Sequence, residues 1–453
     1  MPTKKRTADA GRKSKTGGSG NYRARVRMYR QGLGDCFLIA LPRKNAKDYY
    51  ILIDCGVILG TPDAATKMTA VVRDIISTTD GNLDLLLATH EHWDHLSGFV
   101  QAKDAFKDLK VGEVWLGWTE DPKDELATKL RSEHQALRLA LASACAHMRF
   151  GQGSDSLADS MLEFFGAAGQ GTTSDALRTV KAFSPQKTRF CLPSDQPVIP
   201  QGTDATLYVL GPPHDEKMIK KYNPSKKAPE TYGMALSSLQ GNLADTDSAA
   251  PFDPIAQIPM VVARQLPFFQ EHYWGEAPDT AEKDQGWRRI DSDWLDVSSS
   301  MALQLDSATN NTSLVVAIEL ADGDVLLFAA DAQVGNWLSW QNLSWNVNGK
   351  TVTGPDLLGR TILYKTGHHG SHNATLREKG LELMKRLRIA FIPVDHAMAV
   401  KKRWGKMPLE KLETRLNEIT RQHVLRIDRE IPAGMTGQVT QDAGENLYYE
   451  VSV

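Results

Sequence analysis

The sequence has few cysteines, no long apolar run, no internal repeat and almost no net charge. Four cysteines, Cys36, Cys55, Cys145 and Cys191, are spread over 453 residues. None pairs at C-x-x-C spacing, which argues against a structural zinc knuckle or a disulfide framework, so the thiols are expected to be reduced, as in a cytoplasmic protein. No stretch approaches the roughly 18 apolar residues that cross a bilayer, so no membrane span is expected. The 53 basic residues nearly balance 55 acidic ones for a formal net charge of −2, so the molecule as a whole has no field to steer a polyanion and any basic surface is local. The absence of a fixed period excludes a repeat architecture. Met1 to Tyr22 lacks the apolar centre of a secretory leader. With Lys4, Lys5, Arg6, Arg12, Lys13 and Lys15 among Gly, Ser and Thr, residues 1–21 read as a disordered basic tail, and residues 22–453 as the folded part.

The composition is 41% hydrophobic, enough to bury a full core at this length. Residues 22–40 alternate and then turn apolar through Cys36-Phe37-Leu38-Ile39, as a strand entering a core does, and residues 49–53 and 83–88 read as further strands. Between them, residues 64–78 place Met68, Val71, Val72, Ile75 and Ile76 at helical spacing, and strand, helix, strand is an α/β signature. Residues 122–150 and 156–165 read as helices before the glycine-rich run 166–171, so about 120–190 is expected to be an insertion. Strand character returns at 205–210 and stops at Gly211-Pro212-Pro213. Residues 214–300 are polar and aperiodic, which suggests a second insertion or a lid. Strands are then expected at 313–320 and 325–329, joined by a turn at 321–324, and at 360–365 and 389–393, with helices at 376–387 and 409–422.

The chemistry concentrates in His90-Glu91-His92-Trp93-Asp94-His95, directly after the apolar run 85–88. Three imidazoles and a carboxylate within six positions at the mouth of a strand can converge on a metal, because a loop lets alternate residues point inward together. Histidine nitrogen and aspartate oxygen suit zinc and neighbouring first-row ions. A single histidine is usually a surface or satisfied core residue, but a set of this density is not.

This H-x-H-x-D-H string resembles the signature of the metallo-β-lactamase superfamily, and the resemblance continues in order along most of the chain. Asp54, closing Ile51-Leu52-Ile53, is similar to the family's buried aspartate that braces the histidine loop. The run 326–331 resembles the strand ending in the bridging aspartate, here Asp331, and 363–371 the strand carrying the last histidine, here His368. The resemblance implies an α/β fold of the metallo-β-lactamase αββα sandwich type with helical and loop insertions. It also implies two divalent metal ions, zinc first and manganese as the alternative. His90 and His92 would hold one ion, Asp94, His95 and His368 the other, with Asp331 between them. Two departures stand out: Ala330 replaces the usual glycine before the bridging aspartate, and no P-G-H-[ST] string supplies the remaining ligand of the first ion. His214, after Gly211-Pro212-Pro213, is the candidate for it, an exposed bystander being the alternative.

Four further strings, 32–39, 211–213, 310–316 and 365–371, are together similar to the ComEC-type competence metallo-hydrolase domain and its soluble relatives. That resemblance implies a phosphodiesterase or nuclease acting on nucleic acid through a hydroxide activated by two metals and oriented by Asp94 and Asp331. Lys365 and the Gly370-Ser371 turn would hold phosphate oxygens, unless Lys365 is only a solvated strand end. Asn310 and Asn311 would donate to substrate or cap a turn, Asp35 would support the site from behind, and His369 would protonate the leaving oxygen or be a mere neighbour. The basic stretch Lys401, Lys402, Arg403, Trp404, Gly405, Lys406 would track a nucleic-acid backbone, or is a solvated face. One alternative is a hydrolase of lactones, thioesters or cyclic nucleotides, with Trp274 and Trp287 in a lid. The other is a non-catalytic binding module.

Overall fold

The computed structural model describes residues 22–151, 171–225, 230–232, 258, 260–263, 265–274, 304–402, 404, 407–442, 444 and 446–453. The basic tail 1–21, the helical piece expected at 156–165, most of 214–300 with Trp287, and Arg403, Gly405 and Lys406 lie outside the described residues.

The chain is a mixed α/β fold with two large mixed sheets. The eight-stranded sheet comprises β1 (Arg25–Tyr29), β2 (Phe37–Leu41), β3 (Tyr49–Ile53), β4 (Asn82–Leu87), β5 (Lys110–Gly117), β6 (Thr188–Cys191), β15 (Val439–Gln441) and β16 (Tyr448–Ser452), in the order β15-β16-β1-β2-β3-β4-β5-β6. The six-stranded sheet comprises β7 (Thr206–Gly211), β8 (Val315–Glu319), β9 (Val325–Phe328), β12 (Thr361–Lys365), β13 (Ile389–Ile392) and β14 (Val424–Arg426), in the order β14-β13-β12-β9-β8-β7. A separate hairpin pairs β10 (Ser344–Val347) with β11 (Lys350–Thr353).

Alternation explains how the sheets meet. Phe37, Ile39 and Leu41 of β2 and Ile51 and Ile53 of β3 share one core with Val316 and Ile318 of β8, Leu326 and Phe328 of β9, and Phe391 of β13. The intervening residues point the other way, as a period of two requires. On that outer face Leu38, Leu52 and Leu86 pack under helix Ala64–Thr79, whose Met68, Val71, Val72 and Ile75 recur at helical spacing and are all buried. Each such side chain contributes about 1.5–3 kcal/mol of burial. The outer face of the second sheet packs Ala317, Leu327 and Tyr364 against Trp337, Leu357, Leu412 and Leu416 of helices Val334–Ser339, Gly354–Gly359 and Glu410–Thr420.

Several expected elements differ. The stretch 22–40 is two antiparallel strands, because the backbone turns through Gly32 and Gly34, both at positive φ. The helix expected at 376–387 is absent and only Leu381–Leu383 makes a short 3-10 turn. Leu376 is bridged to Thr231 and Arg377 N–H donates to the Glu230 carbonyl, so the start of this stretch is held in a strand-like pairing. Part of the expected insertion at 120–190 belongs to the core: helix Thr173–Phe183 buries Ala176, Leu177 and Val180 against helix Gly98–Gln101 and β5, and β6 extends the first sheet. No helix among the described residues is long and apolar enough to cross a membrane.

Candidate metal centre

The histidine and aspartate residues singled out in the sequence leave the carboxyl ends of strands. Asp54 follows β3, Thr89 and His90 follow β4, Asp331 follows β9, and His368 and His369 follow β12. β3 runs parallel to β4 and β9 parallel to β12, so within each sheet these ends share a rim. Thr89 also accepts from Leu314 N–H at 2.8 Å, joining the histidine loop to the second sheet.

Close backbone packing holds the loop. Asp35 N–H donates to the Asp94 carbonyl at 3.0 Å, and Cys55 N–H to the His95 carbonyl at 2.8 Å. A Cβ on Gly34 or Gly56 would run into the backbone of Asp94, and Gly34 also has φ +149°. The glycine string before β2 thus serves close approach of two stretches of backbone. Asp54 completes the brace: its Oδ1 accepts from Thr89 N–H at 2.8 Å, and its Oδ2 lies 2.6 Å from Thr89 Oγ1 and 2.7 Å from His95 Nδ1.

Asp94, His95, Asp331 and His369 each offer one ligand atom within 4.8 Å of the others, and all four are buried. His95 Nε2 stands 3.2 Å from Asp331 Oδ2, and His369 Nε2 stands 2.9 Å from Asp94 Oδ2. His95 Nε2 and Asp331 Oδ2 are both buried and neither has a hydrogen-bond partner among the described residues. They face each other without a hydrogen bond to satisfy either, and a cation between them would be bound by both. Beside this cluster, His90 Nε2 lies 3.1 Å from His92 Nδ1 and 3.9 Å from Asp331 Oδ2. The donors present therefore fit a metal ion.

The buried carboxylates favour positive charge at the centre. Burial works against a charged His95, but Asp331, Asp35, Asp54 and Asp94 outweigh it and hold its pKa well above the ordinary value. Burial likewise opposes the Asp331 anion, and His95, Lys365, His368 and His369 outweigh it, keeping the carboxylate charged. Burial dominates elsewhere: it lowers His90 well below the ordinary value and brings His92 and His368 down to about 4, which leaves three imidazoles neutral with a lone pair to give.

Several sequence expectations are corrected by this geometry. His369, not His368, joins the tight cluster. His369 Nδ1 donates to the Pro393 carbonyl at 2.8 Å, so its Nε2 is the nitrogen that faces the centre, 2.9 Å from Asp94 Oδ2. His368 Nε2 is farther out, 3.9 Å from Asp331 Oδ2. Lys365 is not solvated: it is 1% exposed, with its ammonium against Asp35, the Ala330 carbonyl at 2.9 Å and Asp331 Oδ1 at 3.4 Å. Its three donors already have three acceptors. Ser371 is also engaged, its hydroxyl on Asn373 Oδ1 and its N–H on the His368 carbonyl.

Asn311 bonds the carbonyls of Met218 and Ile219 and accepts from Gln333 and Asn336 N–H, so it ties loops together rather than presenting a donor to substrate. His214 is not brought to the centre; its imidazole pairs with Asp124 at 2.8 Å, packs edge-on against Trp118 and is 45% exposed. Asp35 does stand behind the site, on Lys365 and 3.7 Å from His369 Nδ1.

Two residues that sequence reading passed over matter here. Glu91, inside the histidine string, accepts from Thr173, Ser174 and Arg138 and so ties the loop to helices Thr173–Phe183 and Glu125–Gly151. Asp306 lies 3.8 Å from His92 Nε2, and burial beside Asp94 and Asp331 pushes it up to about 8. Its position one helical turn before Asn310 was the available signal. A cleft of about 380 Å³ opens beside the loop, lined by Glu91, Glu120, Arg131, His134, Arg138 and Thr309 among others. No protein-family model and no curated protein matches the chain.

Proposed function

We propose that the chain is a metal-dependent hydrolase of the metallo-β-lactamase superfamily that cleaves phosphodiester bonds in nucleic acid. The observation that carries the reading is the buried meeting of Asp94, His95, Asp331 and His369 with two orphaned polar atoms among them. Two mixed sheets sharing a core, with helices on both outer faces, support the αββα architecture.

His90, His92 and Asp331 would hold one ion and Asp94, His95, Asp331 and His369 the other, zinc first and manganese as the alternative. Such ions, when bound, lower the pKa of water from about 15.7 towards neutrality and neutralise phosphate oxygens. The chain does the orienting. Asp54 fixes the His95 tautomer with Nε2 inward, the Pro393 carbonyl does the same for His369, and Lys365 holds Asp331 charged and in place. The four strings shared with the ComEC-type domain support the phosphodiester branch as a resemblance. Buried free thiols at Cys36, Cys55 and Cys191 support a reducing compartment such as the cytoplasm. The cleft beside the histidine loop favours the second reading, a hydrolase of small polar molecules.

The test is metal analysis of purified protein, followed by assays on single-stranded DNA, RNA, a generic phosphodiester and a lactone with added Zn²⁺ or Mn²⁺. Wild type is expected to retain metal and cleave the diesters, and Asp94→Ala and Asp331→Ala to lose at least about 100-fold of that rate. A metal content near zero refutes the centre. Activity on the lactone alone refutes the nucleic-acid branch.

A further inference from the structure

One side of the centre is supplied by a residue in no recognisable motif. Three of the imidazoles obey one rule, with one nitrogen inward and the other held by oxygen. His90 turns Nε2 inward and lays Nδ1 3.0 Å from Thr89 Oγ1, while His95 and His369 use Asp54 and the Pro393 carbonyl. His92 turns Nδ1 towards His90 Nε2 at 3.1 Å, and its outer nitrogen, Nε2, faces Asp306 Oδ1 at 3.8 Å. That is beyond hydrogen-bond range, with the carboxyl group of Asp306 facing the ring edge.

Asp306 comes from the helical segment 304–310, and its side chain is 13% exposed. Asn310, one turn later, donates from Nδ2 to Asp306 Oδ2 at 3.1 Å, and the same Nδ2 lies 3.5 Å from His368 Nε2. No lysine or arginine pairs with Asp306 among the described residues; the imidazole within 4 Å of its carboxyl group is that of His92. A third carboxylate near Asp94 and Asp331 is unfavourable by itself, which calls for positive charge beside it.

We propose that Asp306 is the positioning residue of His92, holding it through Nε2 in the tautomer whose Nδ1 lone pair faces a divalent cation, with Asn310 setting the carboxylate's angle. The assignment rests on the metal-centre reading above.

The experiment titrates Zn²⁺ in competition with a chromophoric chelator and records the visible spectrum of the Co²⁺-loaded protein. It compares wild type, Asp306→Asn, Asp306→Glu, Asn310→Ala and His214→Ala, with urea denaturation of each metal-free protein. Asp306→Asn is expected to weaken metal binding about 10–100-fold and to shift the Co²⁺ bands, while the metal-free protein keeps its stability. Asp306→Glu should recover part of the affinity, Asn310→Ala should lose part of it, and His214→Ala should match wild type. Folded Asp306→Asn with wild-type affinity and spectrum overturns the proposal; if that variant does not fold, wild-type affinity in Asn310→Ala does. Failure of the wild type itself to take up metal overturns the metal-centre reading instead, and this assignment with it.

Discussion

Replacing Asp54 by asparagine changes one atom of the brace and has a calculable consequence. Asp54 is fully buried and accepts from Thr89 N–H, Thr89 Oγ1 and His95 Nδ1. Asparagine keeps the shape but offers a single acceptor. If its oxygen stays on Thr89 N–H, its amide points donors at Thr89 Oγ1 and His95 Nδ1. The hydroxyl can rotate, but the imidazole must move its proton to Nε2, the nitrogen 3.2 Å from Asp331. That proton occupies the lone pair a metal needs.

Losing charge-assisted bonds costs about 1.5–3 kcal/mol, but removing a buried charge offsets part of it, so net stability should change by less than about 2 kcal/mol. Metal affinity should fall about 10–100-fold, equal to about 1.4–2.7 kcal/mol. Zinc competition and urea denaturation of Asp54→Asn measure the two separately. A folded variant that binds zinc as the wild type does refutes the tautomer argument.

Other consequences are as direct. Gly56→Ala places a methyl against the backbone of Asp94 and His95, and overpacking of about 1–3 kcal/mol should appear in urea denaturation together with weaker metal retention. Lys365→Met leaves Asp35 and Asp331 without their buried partner, a loss of about 3–5 kcal/mol that lowers the urea midpoint. Burial, with Arg138 nearby, pushes His134 down to about 4, so folding favours its neutral form. That contribution is complete above the unfolded value near 6.5 and is lost as pH falls towards 4. Melting temperatures between pH 7.5 and 4.5 should therefore fall less steeply in His134→Gln than in wild type. Parallel curves refute the burial argument.

The histidine string was legible because its members are neighbours in sequence, and β3, β4, β9 and β12 because apolar runs end abruptly at polar residues. The burial of Lys365 was not legible, because a cation at a strand end normally meets water and only the Asp35 turn from the first sheet makes that position dry. The absent helix at 376–387 had helical composition, but the pairing of Leu376 with Thr231 overrode it. β16 pairs with β1 from the far end of the chain, a partnership no local pattern announces.

By itself the sequence determined which chemical groups are present and which strand ends carry them, since period and turn residues act locally. The tertiary structure decided which nitrogen of each imidazole faces inward, the substitution of His369 for His368, and the arrival of Asp306. His368 and His369 both sit in left-handed backbone, with φ 42° and 52°, so their directions follow from how the β12 turn packs. A ring nitrogen is aimed by its hydrogen-bond partner, and for His95 and His369 that partner is supplied by a distant stretch of chain.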